Sequence, residues 1–287
     1  MKVKIIGITG TGLMGSAIAE KALLAGYSIR LYDVQKEHAE ACMKKLNSRL
    51  QSLMKKFTAS DLSNVQQNTV TLCRDIAGLN ECDLIIEAVN EEIELKRKVF
   101  TELDKICPPH VILASNTSAI PVSKLAEVTS RPDKVAGLHF FNPVSVMKLV
   151  EIIAGRETSD DTIHTLEHVA KQMGKTAVCI KDAPGFVANR LLVSMINEAC
   201  RVLSEGIADR DTIDTVMRLG ANYPMGPLAL ADLMGLDVCL KIMEFLYAGL
   251  QDERYRPPLL LKQMVAEGKL GRKTGKGFYE YPLPPQK

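Results

Sequence analysis

Apolar residues recur along this chain in two rhythms, and the change from one to the other divides it. Short apolar runs, bounded by glycine or polar residues, fall at Lys4–Thr9, Ser28–Asp33, Thr69–Leu72, Asp83–Val89, Val111–Ser115, Val135–His139, Met147–Ile153 and Thr176–Ile180. Each has the length and composition of a strand. Between them lie stretches of helical period. Leu13, Met14, Ala17, Ile18 and Ala22 share one face ahead of Gly26 at a C-cap position, a basic helix covers about 35–57, a charged one about 91–106, and another about 159–173. Strands alternating with helices predict an α/β fold with a parallel sheet covered on both faces. From Gly185 onward only the helical period remains, at Ala188–Leu203, Asp211–Leu219, Leu228–Met234, Val238–Leu250 and Leu259–Glu267. Asp182-Ala183-Pro184-Gly185 is the natural joint, so the expected domains are 1–182 and an all-helical 183–287. A ligand cleft is expected between them at the carboxyl ends of the strands.

Composition narrows the class of partner. At 287 residues, with 46% hydrophobic and 24% charged residues, the chain can build a sizeable core and is neither disordered nor low-complexity. Its formal charge of +2 lacks the cationic excess that tracks a phosphate backbone, so nucleic acid is not an expected partner. No run approaches the ~18 apolar residues of a membrane span. The seven cysteines are scattered and never form C-x-x-C, which suggests neither a disulfide framework nor a zinc site. The chain opens directly on a strand, leaving no room for a targeting peptide, and the cytoplasm is the expected location.

Gly10-Thr11-Gly12-Leu13-Met14-Gly15 is G-x-G-x-x-G, placed where the first strand ends and the first helix begins. The first glycine permits the tight turn, the second lets backbone approach a pyrophosphate, and the third allows close helix-to-strand packing. Taken alone, this could be an empty glycine-rich turn. The second strand, however, ends at Asp33, 21 residues after Gly12, where a carboxylate accepts hydrogen bonds from an adenosine ribose. This context predicts a Rossmann-type dinucleotide-binding domain. Asp33, followed by Val34 rather than arginine, favours NAD over NADP; the fingerprint by itself leaves FAD open.

His139 stands at the end of a predicted strand and Glu151 on the next. Oxidation of an alcohol needs a base for the hydroxyl proton as hydride departs, and imidazole titrates near neutral pH. A carboxylate partner would fix the ring's tautomer. On spacing alone the two could equally be a core histidine and a surface acid, just as Ser118 could be a turn residue, Asn189 a solvated helix position, and Lys44, Lys45, Arg49, Lys55 and Lys56 a solvated face.

At these residues the chain resembles the 3-hydroxyacyl-CoA dehydrogenases, and most of all their short 3-hydroxybutyryl-CoA members. The resemblance runs through Gly10–Gly15, Glu87-Ala88-Val89, Ser115-Asn116-Thr117-Ser118, His139–Pro143, Pro184–Arg190, Pro224-Met225-Gly226-Pro227 and Gly275-Lys276-Gly277-Phe278-Tyr279, in that order. It implies that His139 is the general base and Glu151 its orienting partner. It also implies that Ser118 and Asn189 hydrogen-bond the substrate oxygen, and that Glu91, Lys96, Ser118, Asn142 and Lys273 contact the nicotinamide half of NAD. Ser48 and Lys55 would meet coenzyme A, and a homodimer would form through the helical domain. Leu13 and Ala119 depart from the hydroxyl residues frequent at their positions.

The expected reaction is NAD-dependent interconversion of an (S)-3-hydroxyacyl-CoA and its 3-oxoacyl-CoA, on a short chain such as acetoacetyl-CoA. A sugar-acid dehydrogenase on the same fold and a non-catalytic NADH-binding protein are the alternatives. His164-Thr165-Leu166-Glu167-His168 fits H-x-x-E-H but reads as the face of an amphipathic helix rather than a zinc site, and no metal is expected.

Overall fold

Four strands carry unbroken apolar runs because they are buried on both faces: β1 (Ile5–Thr9), β4 (Leu84–Glu87), β5 (Ile112–Ser115) and β6 (Val135–Phe140). In the computed structural model, which describes residues 2–54 and 69–282, they form the centre of an eight-stranded sheet. The strand order is β3-β2-β1-β4-β5-β6-β7-β8, with β2 (Ser28–Tyr32), β3 (Val70–Leu72), β7 (Leu149–Ala154) and β8 (Thr176–Lys181) towards the two edges. Helices α1 (Leu13–Leu24), α2 (Lys36–Met54), α3 (Ile93–Ile106), α4 (Val122–Ala126) and α5 (Asp160–Gln172) connect them. One core cluster joins Ile18, Ala19 and Ala22 of α1 and Leu166 and Val169 of α5 to Ile6, Ile8, Ile86, Ala114 and Leu138 of the sheet.

The chain divides into two units, Met1–Ala183 and Pro184–Lys287. In the first, β1 to β6 run parallel, but β7 returns antiparallel to β6 and β8 follows β7. This corrects the expectation of a parallel sheet throughout. Only residues 141–148 join β6 to β7, and a parallel crossover needs a dozen or more. Helix α4, five residues long, was not anticipated from the pattern. β8 is an edge strand with mostly exposed residues, so the sheet is not fully covered there.

The second unit packs α6 (Ala188–Ser204), α7 (Arg210–Gly220), α8 (Pro227–Met234), α9 (Leu236–Leu250) and α10 (Leu259–Ala266) around Val193, Ile196, Leu228, Leu236, Leu246 and Leu261. Two buried carboxylates organise it. Asp214 accepts from the amides of Leu228 and Ala229, both at 2.9 Å, and so caps α8 from a neighbouring helix, and it also takes the Tyr279 hydroxyl at 3.0 Å. Asp232 accepts from the amides of Phe278 and Tyr279 and from the Tyr281 hydroxyl. A Cβ at Gly277 would lie 1.9 Å from the Asp232 carboxylate, and one at Gly226 2.3 Å from the Asp214 side chain. The blocks Pro224–Pro227 and Gly275–Tyr279 are thus explained by packing. Among the described residues no helix is long and apolar enough to cross a membrane.

Candidate active site

The carboxyl ends of β1, β2, β4, β5 and β6 lie along one edge of the sheet, and each carries a candidate residue. Between β1 and β4 the strand order reverses, which opens a crevice at that edge. At the end of β1, Gly10 has φ +85° and packs against the backbone of Ala88 and Val89, so no side chain fits. Gly15 is equally constrained, since a Cβ there would sit 1.8 Å from the Gly10 carbonyl oxygen. Gly12 is different. A Cβ on Gly12 would meet nothing within 4 Å, and as the N-cap of α1 it has no side-chain cap.

The first turn of α1 therefore presents its amides to open space, with Leu13 exposed and Met14 half-buried beside them. Asp33, just past β2, accepts from the Thr11 amide at 2.6 Å and the Thr11 hydroxyl at 3.0 Å, which ties the loop to the second strand. Its second oxygen accepts from the Gln35 amide and keeps acceptor capacity for a ribose hydroxyl. An open glycine, uncapped helix amides and a carboxylate at the second strand are what a dinucleotide requires, and the chain fits NAD here.

At the ends of β4 and β5 lies a polar cluster that pattern alone did not disclose. Glu87 and Ser115 are register partners at the strand ends, and the Ser115 hydroxyl donates to Glu87 at 2.7 Å. Glu87 is fully buried, and burial pushes its carboxyl up against the lowering effect of Lys96 and its hydrogen bonds. Lys96 is 1% exposed and donates to Glu87 at 2.7 Å and to the Val89 carbonyl at 3.2 Å, with Glu91 3.3 Å away. The Lys96 ammonium is thus surrounded by protein acceptors. Burial alone would raise the Glu91 carboxyl, but the charge of Lys96 and hydrogen bonds from Thr117 and Ser118 hold it below the usual glutamate range. One oxygen of Glu91 gathers the Thr117 hydroxyl at 2.6 Å and the amides of Ser118 and Ala119 at 2.8 and 3.2 Å, and the Ser118 hydroxyl is at 3.3 Å.

His139 and Glu151 are brought together by the antiparallel turn-back. They are direct cross-strand partners of β6 and β7, with Nδ1 of the imidazole 2.8 Å from the Glu151 carboxylate and both side chains buried. A carboxylate at that distance requires the proton on Nδ1, which leaves Nε2 as the basic nitrogen. The Phe141 ring packs at 4.5 Å on the imidazole. Asn116 accepts the amide of Phe140 at 2.9 Å and so fastens the β5 turn beside His139. After the cis Asn142-Pro143 bond, the buried Lys175 holds the following loop by donating to the carbonyls of Val144 and Met147. Asn142 itself is exposed.

The remaining candidates come from other segments of the chain. Ser48 is exposed on α2, and Lys55, with Lys56, lies outside the described residues. In the helical unit Asn189 is buried in the first turn of α6, and Lys273 is half exposed and paired with Asp237. His164 and His168 are exposed on α5.

Comparison with known proteins assigns this arrangement. The family description "3-hydroxyacyl-CoA dehydrogenase, NAD binding domain" matches residues 5–183, and "3-hydroxyacyl-CoA dehydrogenase, C-terminal domain" matches residues 185–281. The chain belongs to the 3-hydroxyacyl-CoA dehydrogenase family. It is similar to a probable 3-hydroxybutyryl-CoA dehydrogenase of Bacillus subtilis, 49% identical over 98% of both chains. It is also similar to the 3-hydroxybutyryl-CoA dehydrogenase of Bradyrhizobium diazoefficiens, 42% identical over 97% of this chain and 96% of that one. The crystal structure of (S)-3-hydroxybutyryl-CoA dehydrogenase from Ralstonia eutropha superposes with a TM-score of 0.90 at 44% identity, covering 98% of this chain and all of that one. Members of the family are NAD-dependent oxidoreductases, and the glycine loop and Asp33 described above suit that cofactor.

Proposed function

We propose that this family member interconverts (S)-3-hydroxyacyl-CoA and 3-oxoacyl-CoA on a short acyl chain, with His139 as general base. The buried His139–Glu151 pair at the carboxyl edge of the sheet carries the reading. In the oxidative direction His139 Nε2 takes the proton of the C3 hydroxyl while the C3–H bond breaks with its electron pair. NAD, when bound, supplies the hydride acceptor, and NADH the donor for the reverse. Glu151 stabilises the imidazolium formed in that step, and the same proton returns to the C3 oxygen during reduction.

Within this reading, Ser118 and Asn189 hold the C3 oxygen, which helps keep the reacting atoms in near-contact geometry. The Gly10–Gly15 loop with Leu13 and Met14 receives the pyrophosphate, and Asp33 the adenosine ribose. Glu91, Lys96, Ser118, Asn142 and Lys273 serve the nicotinamide half. Ser48 and Lys55 serve coenzyme A. Residues 1–182 form the cofactor domain and 183–287 the substrate and dimerisation domain. Homodimerisation is supported by the exposed Leu191, Val216, Leu219 and Leu233 on α6 to α8, and is checked by sedimentation equilibrium. Cytoplasmic location suits seven free thiols.

The direct test is NADH oxidation with acetoacetyl-CoA, run beside NADPH and beside free acetoacetate. Turnover restricted to NADH and the thioester is expected, and equal rates with free acetoacetate would overturn the substrate assignment. His139→Gln should lower kcat far more than it raises KM.

A further inference from the structure

Lys175 carries a buried ammonium for which the reaction has no use. It stands between α5 and β8, where Gly174 at φ +67° turns the chain, and it is 8% exposed. Its Nζ donates to the carbonyls of Val144 and Met147, the latter at 2.6 Å. Among the described residues no carboxylate pairs with it, and burial, with the charge of Lys21 adding to it, lowers its pKa from the ordinary lysine value. An enclosed ammonium held by carbonyls alone costs more than an apolar chain of the same length. Stability by itself does not favour a lysine here.

The two carbonyls belong to one turn, in which the Pro143 carbonyl accepts from the amides of Val146 and Met147, both at 3.0 Å. At the other end of this segment the Phe140 amide is fixed by Asn116 at 2.9 Å. Phe141 is therefore held between two anchors, and its ring lies 4.5 Å from the His139 imidazole. Glu151 restrains that imidazole through Nδ1 alone, and one hydrogen bond leaves the ring free to tilt about it. We propose that Lys175 is a positioning residue: by stapling the turn at 143–147 it fixes where Phe141 meets His139, and so the direction in which Nε2 faces. Lys175 acts only through the turn. The inference rests on the reading that His139 is the general base.

Lys175→Met keeps the length of the arm and removes its donors. Its melting temperature should stay near wild type, since the ammonium is no longer buried. Its kcat with acetoacetyl-CoA and NADH should nevertheless fall about 10- to 100-fold, the upper figure being the scale of a misplacement of about 1 Å, and KM should change less. The proton resonance of His139 Nδ1–H should shift or broaden, which a loss of support elsewhere in the domain would not cause. Because Lys175 acts through Phe141, Lys175→Met/Phe141→Ala should be no slower than Phe141→Ala alone. Wild-type kcat, an unmoved His139 signal, or losses that multiply in the double variant would each overturn the proposal.

Should Lys175→Met fail to fold, Lys175→Gln keeps an uncharged donor on an arm one atom too short for the two carbonyls. Lower kcat with a displaced His139 signal supports the proposal, and wild-type kcat or an unmoved signal overturns it. If the wild-type protein does not turn over acetoacetyl-CoA, the substrate reading fails, and the His139 signal of the Lys175 variants still decides whether Lys175 sets the ring.

Discussion

Glu151→Gln isolates what the carboxylate charge does for His139. The amide oxygen of glutamine can still accept from Nδ1–H, so the ring keeps its tautomer and its contact with Phe141, and only the charge is lost. Two unit charges about 4 Å apart interact by about 4 kcal/mol at an effective dielectric of about 20, which sets the scale for a charge pair. Because the hydrogen bond survives in neutral form, the smaller figure of about 1.5–3 kcal/mol for a bond to a charged group governs. That stabilisation exists only when the imidazole carries the second proton, in the transition state and after it. The loss therefore falls on kcat, about 10- to 150-fold at about tenfold per 1.36 kcal/mol.

Steady-state NADH oxidation with acetoacetyl-CoA reads the change, with kcat and KM separated and the melting temperature as a control for folding. The double variant His139→Gln/Glu151→Gln should be no slower than His139→Gln alone, since residues acting as a unit are not additive. A Glu151→Gln enzyme within twofold of wild-type kcat, or losses that multiply in the double variant, would refute the pairing as a catalytic unit.

The glycine loop predicts opposite outcomes at two of its positions. Gly12→Ala should fold with wild-type stability yet raise the NADH Kd at least about tenfold, because its Cβ points into open space. Gly15→Ala should lose about 3 kcal/mol or more in urea unfolding, because its Cβ collides with the Gly10 carbonyl. In the helical unit, Asp232→Ala leaves the amides of Phe278 and Tyr279 without their acceptor and should cost about 3 kcal/mol in urea unfolding, with NADH affinity unchanged. Burial alone would raise the Asp104 carboxyl, but hydrogen bonds from Ser130 and Arg131 outweigh it and hold it below the ordinary aspartate value. A carboxyl lowered in the folded state stabilises above its unfolded value, and the benefit is lost as pH falls through the folded one. Between about pH 6 and pH 3, wild type should therefore lose more urea stability than Asp104→Asn, and parallel losses would count against this account.

Much of this protein is legible in its residues because local rules carry it. The glycine spacing and Asp33 declare the nucleotide loop, since each glycine answers a backbone demand that no other residue meets. The hydrophobic rhythm places nearly every helix and strand within a few residues, because buried strands and amphipathic helices have different periods. The unexpected direction of β7 was readable in principle from the short 141–148 connection, which no parallel crossover can span. That direction decides the site, for only an antiparallel register sets Glu151 opposite His139. In a parallel sheet the same two residues could remain a core histidine and a distant acid.

Glu87, Glu91 and Lys96 stand in blocks that the family resemblance singles out, but their joining in one hydrogen-bonded cluster was not visible along the chain. Lys96 sits in a charged helix where a lysine ordinarily faces water, and its burial follows from how α3 lies against the ends of β4 and β5. The sequence by itself determined which segments would be strand, helix and nucleotide loop, because propensity and period act over a few residues. Which charged side chains would be enclosed, and which acid would meet the histidine, depended on strand direction and register, and only the tertiary structure sets those.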